Sequence, residues 1–82
     1  MTYTDIVDCI ARHTREVLPG LDDHLFVGSD RLSELGANSV DRAEIVMMVQ
    51  ESLSLSVPRV ELFGPSNIGE LAQLLLSKVN AR

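Results

Sequence analysis

The side chains whose types and spacing invite chemistry are Cys9, His13, His24 and Ser39. Cys9 and His13 stand four residues apart, so on a helix surface they could touch. A thiol enzyme would use such a pair as nucleophile and base. No oxyanion donor or third orienting group accompanies them, however, and spacing alone makes no catalytic site. Cys9 lies beside Ile6, Val7 and Ile10 and reads as a small, partly buried apolar residue. His13 and His24 have no metal-ligand spacing with each other or with Cys9, so no metal site is expected and both rings should face solvent. One cysteine permits no internal disulfide, which agrees with a reducing compartment.

Ser39 is the informative position. It lies in the run Leu35-Gly36-Ala37-Asn38-Ser39-Val40-Asp41. Glycine lets the chain turn sharply there. A serine at the tip of an amphipathic helix exposes its hydroxyl beside unpaired backbone amides, and the helix dipole favours an anion at that place. A phosphodiester on this oxygen would sit in a good electrostatic site, and its substituent would project from a loop–helix junction. On physics alone the serine reads as a plain helix cap.

The elements that must position these residues follow from periodicity and punctuation. Pro19-Gly20, Gly28, Gly36, Pro58, Gly64-Pro65 and Gly69 cut the chain. A first helix is predicted over 5–18, capped by Thr2 or Thr4, with Ile6, Ile10 and Val17 as its stripe and Val7, Ala11 and Leu18 alongside. Residues 20–38 form a long connection with apolar anchors at Leu21, Leu25, Phe26, Val27, Leu32 and Leu35 and a single helical turn over 30–35. A loop of this length in a compact domain is often functional. A second helix runs 39–53 from a cap at Asn38 or Ser39. It buries Ile45, Val46, Val49 and Leu53, with Val40, Ala43 and Met47 on a flank and Asp41, Glu44, Met48, Gln50 and Glu51 largely opposite. A short helical piece covers 59–63. A last helix covers 68–79, with an Asn67/Glu70 capping box and a stripe of Ile68, Leu71, Leu75 and Val79, flanked by Ala72 and Leu74.

The composition supports this. Aromatics are only 4%, so the core is built of aliphatic side chains, which suits a small helical bundle more than a sheet. The predicted fold is all-α, with three main helices, one short helix and a long first loop, in one domain over 1–82. The longest apolar run, Ile45 to Val49, is far too short to span a membrane, and the N-terminus lacks the pattern of a secretion signal. A cytoplasmic monomer is expected. The formal net charge of −5 removes the basic footprint of a nucleic-acid binder and disfavours anionic lipid. An acidic domain of this size suits basic patches on partner proteins, or plain solubility.

The order Leu35-Gly36-x-x-Ser39-Val40 near the middle of an acidic chain resembles the acyl carrier protein signature. The anchored first loop, the short helix after Pro58 and the final amphipathic helix extend the match over nearly the whole chain. The resemblance implies that a phosphopantetheinyl transferase attaches 4'-phosphopantetheine from coenzyme A to Ser39, and that the chain itself catalyses nothing. It also implies that the following helix docks partner enzymes, with Val40, Asp41, Arg42, Glu44, Met47 and Met48 as contacts. Met47 reads equally as core, and Asp41 and Glu44 as solvated surface. Arg42 either softens repulsion among neighbouring acids or marks partner choice. Most carriers have Asp directly before the serine. Asn38 caps equally well but removes the charge a transferase would meet.

A narrower resemblance rests on the runs 38–48, 54–62 and 67–72, which are similar to the discrete donor carriers of polyketide β-branching cassettes. In those systems a donor carrier presents acetyl to a hydroxymethylglutaryl (HMG)-synthase-like enzyme. A ketosynthase-like decarboxylase makes the acetyl from a malonyl precursor, itself loaded by an acyltransferase. Acceptor carriers typically hold Trp six residues after the modified serine; here that place is Ile45, and the chain has no Trp. The alternatives are a general fatty-acid, polyketide or peptidyl carrier, and an unmodified acidic helical interaction module in which Ser39 is only a cap.

Overall fold

Thr2 starts the first helix. Its hydroxyl accepts the Asp5 amide at 3.2 Å, and Asp5 accepts the Thr2 amide at 2.8 Å, a complete capping box. The computed structural model describes residues 1–81, which form α1 (Tyr3–Val17), α2 (Ser39–Ser52), a short 3₁₀ helix (Arg59–Phe63) and α3 (Ile68–Ala81), with no strand among them. The all-α reading holds. The first helix begins two residues earlier than its periodicity suggested, because the polar Thr2/Asp5 pair satisfies the opening amides ahead of the apolar stripe.

One core gathers Ile6 and Ile10 of α1, Ile45 and Val49 of α2, and Ile68, Leu71, Ala72 and Leu75 of α3, with Leu53 closing one end. Each fully buried aliphatic side chain of this size contributes about 1.5–3 kcal/mol relative to exposure. α1 packs against both other long helices. Thr14 is fully buried within this set, which the stripe did not predict. Its hydroxyl donates to the Ile10 carbonyl at 2.7 Å, so no polar atom is stranded. His13 is also buried, contrary to expectation: its Nε2 lies 2.7 Å from Ser52 Oγ at the end of α2. The ring sits where α1 crosses α2, and the crossing covers it.

α2 ends without glycine. Ser54 takes a left-handed conformation (φ 55), the Leu55 amide donates to Gln50 C=O at 2.8 Å, and the Ser54 amide donates to Glu51 C=O at 3.2 Å. This is a Schellman motif, closing the terminal carbonyls of the helix. The chain then returns toward α2, where Gln50 Oε1 accepts the Val57 amide at 2.7 Å. Lys78 Nζ meets Glu61 at 2.6 Å and ties the 3₁₀ helix to α3.

The long first loop is held mainly by polar stitches. Leu21, Phe26, Leu32 and Leu35 pack on the core as expected, but Leu25 (86% exposed) and Val27 (53%) do not. The chain is irregular here, and placing Phe26 inward turns its two neighbours out. Phe26 lies under the Arg15 guanidinium, 4.7 Å from ring centroid to Cζ, and Arg15 also donates to the His24 carbonyl at 3.1 Å. His24 is half-buried, not solvated, because its Nε2 meets Asp30 Oδ2 at 2.9 Å. The predicted helical turn is present, with the Glu34 and Leu35 amides both bonded to Arg31 C=O.

Loop carbonyls also receive the first amides of α3: Ile68 N–H donates to Asp30 C=O at 2.9 Å and Gly69 N–H to Gly28 C=O at 2.8 Å. Asn67 Oδ1 accepts the Glu70 amide as predicted, but Glu70 reaches Ser66, through its amide and hydroxyl, to complete the arrangement. The backbones at 28 and 69 approach so closely that a Cβ on Gly69 would stand 3.1 Å from Gly28 O and 3.2 Å from Gly28 Cα.

Gly69→Ala should therefore destabilise by about 1–3 kcal/mol, since backbone must move. Gly64→Ala, where a Cβ meets only Glu61 O at 3.7 Å, should stay within about 0.5 kcal/mol. Thermal midpoints of the two variants check this.

Acid should also loosen the loop. The Val27 amide, at 2.9 Å, holds the Asp30 carboxyl below its ordinary value; His24 adds to this, and partial burial opposes it. A carboxylate whose folded pKa is depressed stabilises above its unfolded value, about 3.9, and loses that contribution as pH falls through the folded value. Asp30→Asn should lower stability at neutral pH and flatten the decline below about pH 4. Urea midpoints across that range measure it.

Candidate functional site

α2 begins with a division of labour. Asn38 Oδ1 accepts the Asp41 amide at 2.8 Å and Asp41 Oδ2 accepts the Asn38 amide at 3.1 Å. Asn38, not Ser39, is the cap. Ser39 is the first helical residue and is exposed, so its hydroxyl has no capping duty. Gly36, at φ +105, supplies the left-handed turn that brings the chain into this start. Asn38 performs the structural role an aspartate would, without its charge.

The first helical hydrogen bond of α2 joins Arg42 N–H to Asn38 C=O at 2.9 Å. The amides of Ser39 and Val40 lie ahead of it, at the positive end of the helix dipole. The Arg42 side chain folds back to the same end: Nη1 donates to the Ala37 carbonyl at 2.9 Å, and Nη2 lies 3.5 Å from Ser39 Oγ. An exposed hydroxyl beside amides and a guanidinium fits a phosphodiester. These residues would hold it, and the arm would supply a thiol on which an acyl group rides as a thioester.

A groove runs from Ser39 between α2 and the 59–71 segment. Val46, Leu62, Ile68 and Leu71 give it apolar lining, and Arg31, Arg42, Arg59 and Glu44 supply its charges. It exists because α1 holds α2 and α3 more closely than they hold each other.

The predicted contact residues separate into two sets. Val40 (74% exposed), Glu44 and Met47 (56%) form an outward stripe at i, i+4 and i+7. Met47 is thus on the surface, not in the core. Asp41, Arg42 and Met48 are half-buried beside the stripe. Asp41 is engaged in the capping box, and Arg42 in the Ala37 and Ser39 contacts. Sequence reasoning missed that Arg42 bends toward Ser39; its position one turn on was the available signal.

The rival sites are not assembled. His13 turns to Ser52 and has Glu16 at 3.5 Å from Nδ1, while Cys9 Sγ lies 4.0 Å from Arg12 Nη2. Burial pushes the Cys9 thiol up from its ordinary value, the wrong direction for a nucleophile, although Arg12 and Ser52 partly offset it. Among the described residues no group of three His, Cys, Asp or Glu side chains could hold a metal, and no helix is long and apolar enough to cross a membrane.

Comparison with known proteins meets this geometry. The phosphopantetheine attachment site family matches residues 5–75. The chain is 55% identical over 76 residues to the polyketide biosynthesis acyl-carrier-protein AcpK of Bacillus subtilis (strain 168), covering 93% of each chain. It is 25% identical over 80 residues to an acyl carrier protein of Cyanidium caldarium, covering 98% of this chain and 93% of the other. It also superposes, with a TM-score of 0.86 and 49% identity, on a chain of the crystal structure of the curacin biosynthetic pathway HMG synthase in complex with acetyl donor-ACP, covering 92% of this chain and 96% of that one.

A helical scaffold that presents a hydroxyl for a phosphopantetheine arm defines a carrier and not a catalyst, and the chain belongs to the acyl carrier protein family. Within that family it is a carrier of polyketide biosynthesis, of the β-branching type.

The division of labour at α2 is testable. Asn38→Ala should cost about 1 kcal/mol of stability, whereas Asn38→Asp should cost nothing measurable, because aspartate caps equally well. Urea unfolding of both variants reads the difference.

Proposed function

We propose that Ser39 carries the 4'-phosphopantetheine arm and that the loaded protein donates acetyl to an HMG-synthase-like enzyme in polyketide β-branching. The observation that carries this reading is the exposed Ser39 hydroxyl at the first position of α2, left unengaged by the cap at Asn38. Tethering the thioester raises its effective concentration at a partner active site. Docking on α2 decides which enzymes may act, through exposed Val40, Glu44 and Met47, with Asp41, Arg42 and Met48 at the margin.

The donor assignment is supported by the likeness to the acetyl donor-ACP chain and by Ile45. This residue, in the place where acceptor carriers typically hold Trp, is fully buried in the core. The reading includes a phosphopantetheinyl transferase for maturation, an acyltransferase for malonyl loading and a ketosynthase-like decarboxylase that leaves acetyl on the arm. It also takes residues 1–82 as one domain, acting as a cytoplasmic monomer.

Intact mass after co-expression with a broad-specificity phosphopantetheinyl transferase should show one added arm, absent from Ser39→Ala. That variant should remain folded, because Asn38 supplies the cap. A phosphopantetheine mass on Ser39→Ala would place the site elsewhere. Acetyl-loaded protein should pass its acetyl to the synthase faster than an equally loaded extension carrier. Equal rates would reduce the assignment to a general carrier.

A further inference from the structure

Among the described residues Arg42 is the basic side chain that meets Ser39 Oγ, and its surroundings are unusual for an exposed helix. Asp41 and Glu44 are its neighbours in sequence, yet among the described residues the ion pair between a Lys or Arg and a carboxylate joins Lys78 to Glu61. The guanidinium instead folds toward the helix start. One edge is fixed by the bond from Nη1 to Ala37 C=O at 2.9 Å, and Ala37 is itself buried, so the anchor is firm. The other edge, Nη2, faces Ser39 Oγ at 3.5 Å, a long contact with a neutral acceptor. A guanidinium has five donors in a planar fork, so one anchored edge leaves others to meet an anion.

Resting on the reading that Ser39 bears the arm, we propose that Arg42 is the resident counter-ion of the phosphodiester and fixes the root of the arm. Phosphopantetheinylation of Oγ places the non-bridging phosphodiester oxygens two bonds beyond the atom that Nη2 already faces. The weak contact with a hydroxyl becomes a charge-assisted one, which is shorter and stronger. Arg42 is then a positioning residue, already anchored before the arm arrives, and little side-chain freedom remains to be lost on binding. Lysine at this position offers the charge but not the fork, so it reproduces only part of the effect.

The experiment compares apo and holo protein for the unmutated chain, Arg42→Gln and Arg42→Lys, with no partner enzyme present. Each variant is its own control, so any general loss from removing the Ala37 bond cancels. In the unmutated protein the holo form should melt about 2–5 °C above the apo form at low salt. The increment should vanish in Arg42→Gln, persist in part in Arg42→Lys and collapse near 1 M salt. The ³¹P resonance of the holo protein should sharpen in Arg42→Gln as the phosphodiester becomes freer to move. The same apo-to-holo increment and the same ³¹P line width in the unmutated protein, Arg42→Gln and Arg42→Lys would overturn the proposal. If no arm is gained at Ser39, intact mass shows it first, and the proposal falls with the attachment reading beneath it.

Discussion

The structure leans on α1. Its Ile6, Ile10 and Thr14 are fully buried, and it packs on α2 along one side and on α3 along the other. Because one helix serves both neighbours, α2 and α3 need not close on each other, and the groove beside Ser39 is what remains between them. The constraint is severe for α1 itself. A polar side chain facing two helices at once must satisfy itself internally, which Thr14 does through the Ile10 carbonyl. Leu53 and Leu18 close the core around the same helix.

Function in a carrier asks for a hydroxyl that is fixed in place yet chemically idle. The two demands fall on adjacent residues. Asn38 and Asp41 satisfy each other's amides and set the helix start, and Ser39, one residue on, is positioned by them without being used. The loop upstream delivers the chain to this start through Gly36 and through the bonds that attach it to α3. The loop is thus braced on α1 and α3 as well as by Arg42, and the exposed stripe of Val40, Glu44 and Met47 takes no part in those bonds.

The helices and their caps were legible because they are local. Apolar spacing of three and four residues marked Ile6, Ile10, Ile45, Val49, Ile68, Leu71 and Leu75, and all are buried. Ser39 stood out from its place at a loop–helix junction. What stayed hidden depends on residues far apart in the chain. His13 is covered only because Ser52 lies across from it, and Gly69 is constrained only because Gly28 arrives beside it. Leu25 and Val27 are apolar but exposed, since polar stitches through Asp30 and Arg15 hold that stretch. The Schellman end at Ser54 lacked its usual glycine marker. For Arg42 the position was plain, and the rotamer was not.

The groove gives the molecule two electrical faces. The formal net charge is −5, yet Arg31, Arg42 and Arg59 line the groove, and Glu44 is the acid among its lining residues. From beyond a Debye length, about 10 Å at ordinary salt, an approaching surface responds to the molecule as a screened anion. Closer in, Arg42 lies beside Ser39, and Arg31 and Arg59 line the same groove. The net charge of the whole chain is therefore opposite in sign to the balance of charge among the groove's lining residues. Behaviour on an ion-exchange column reports the first and says little about the second.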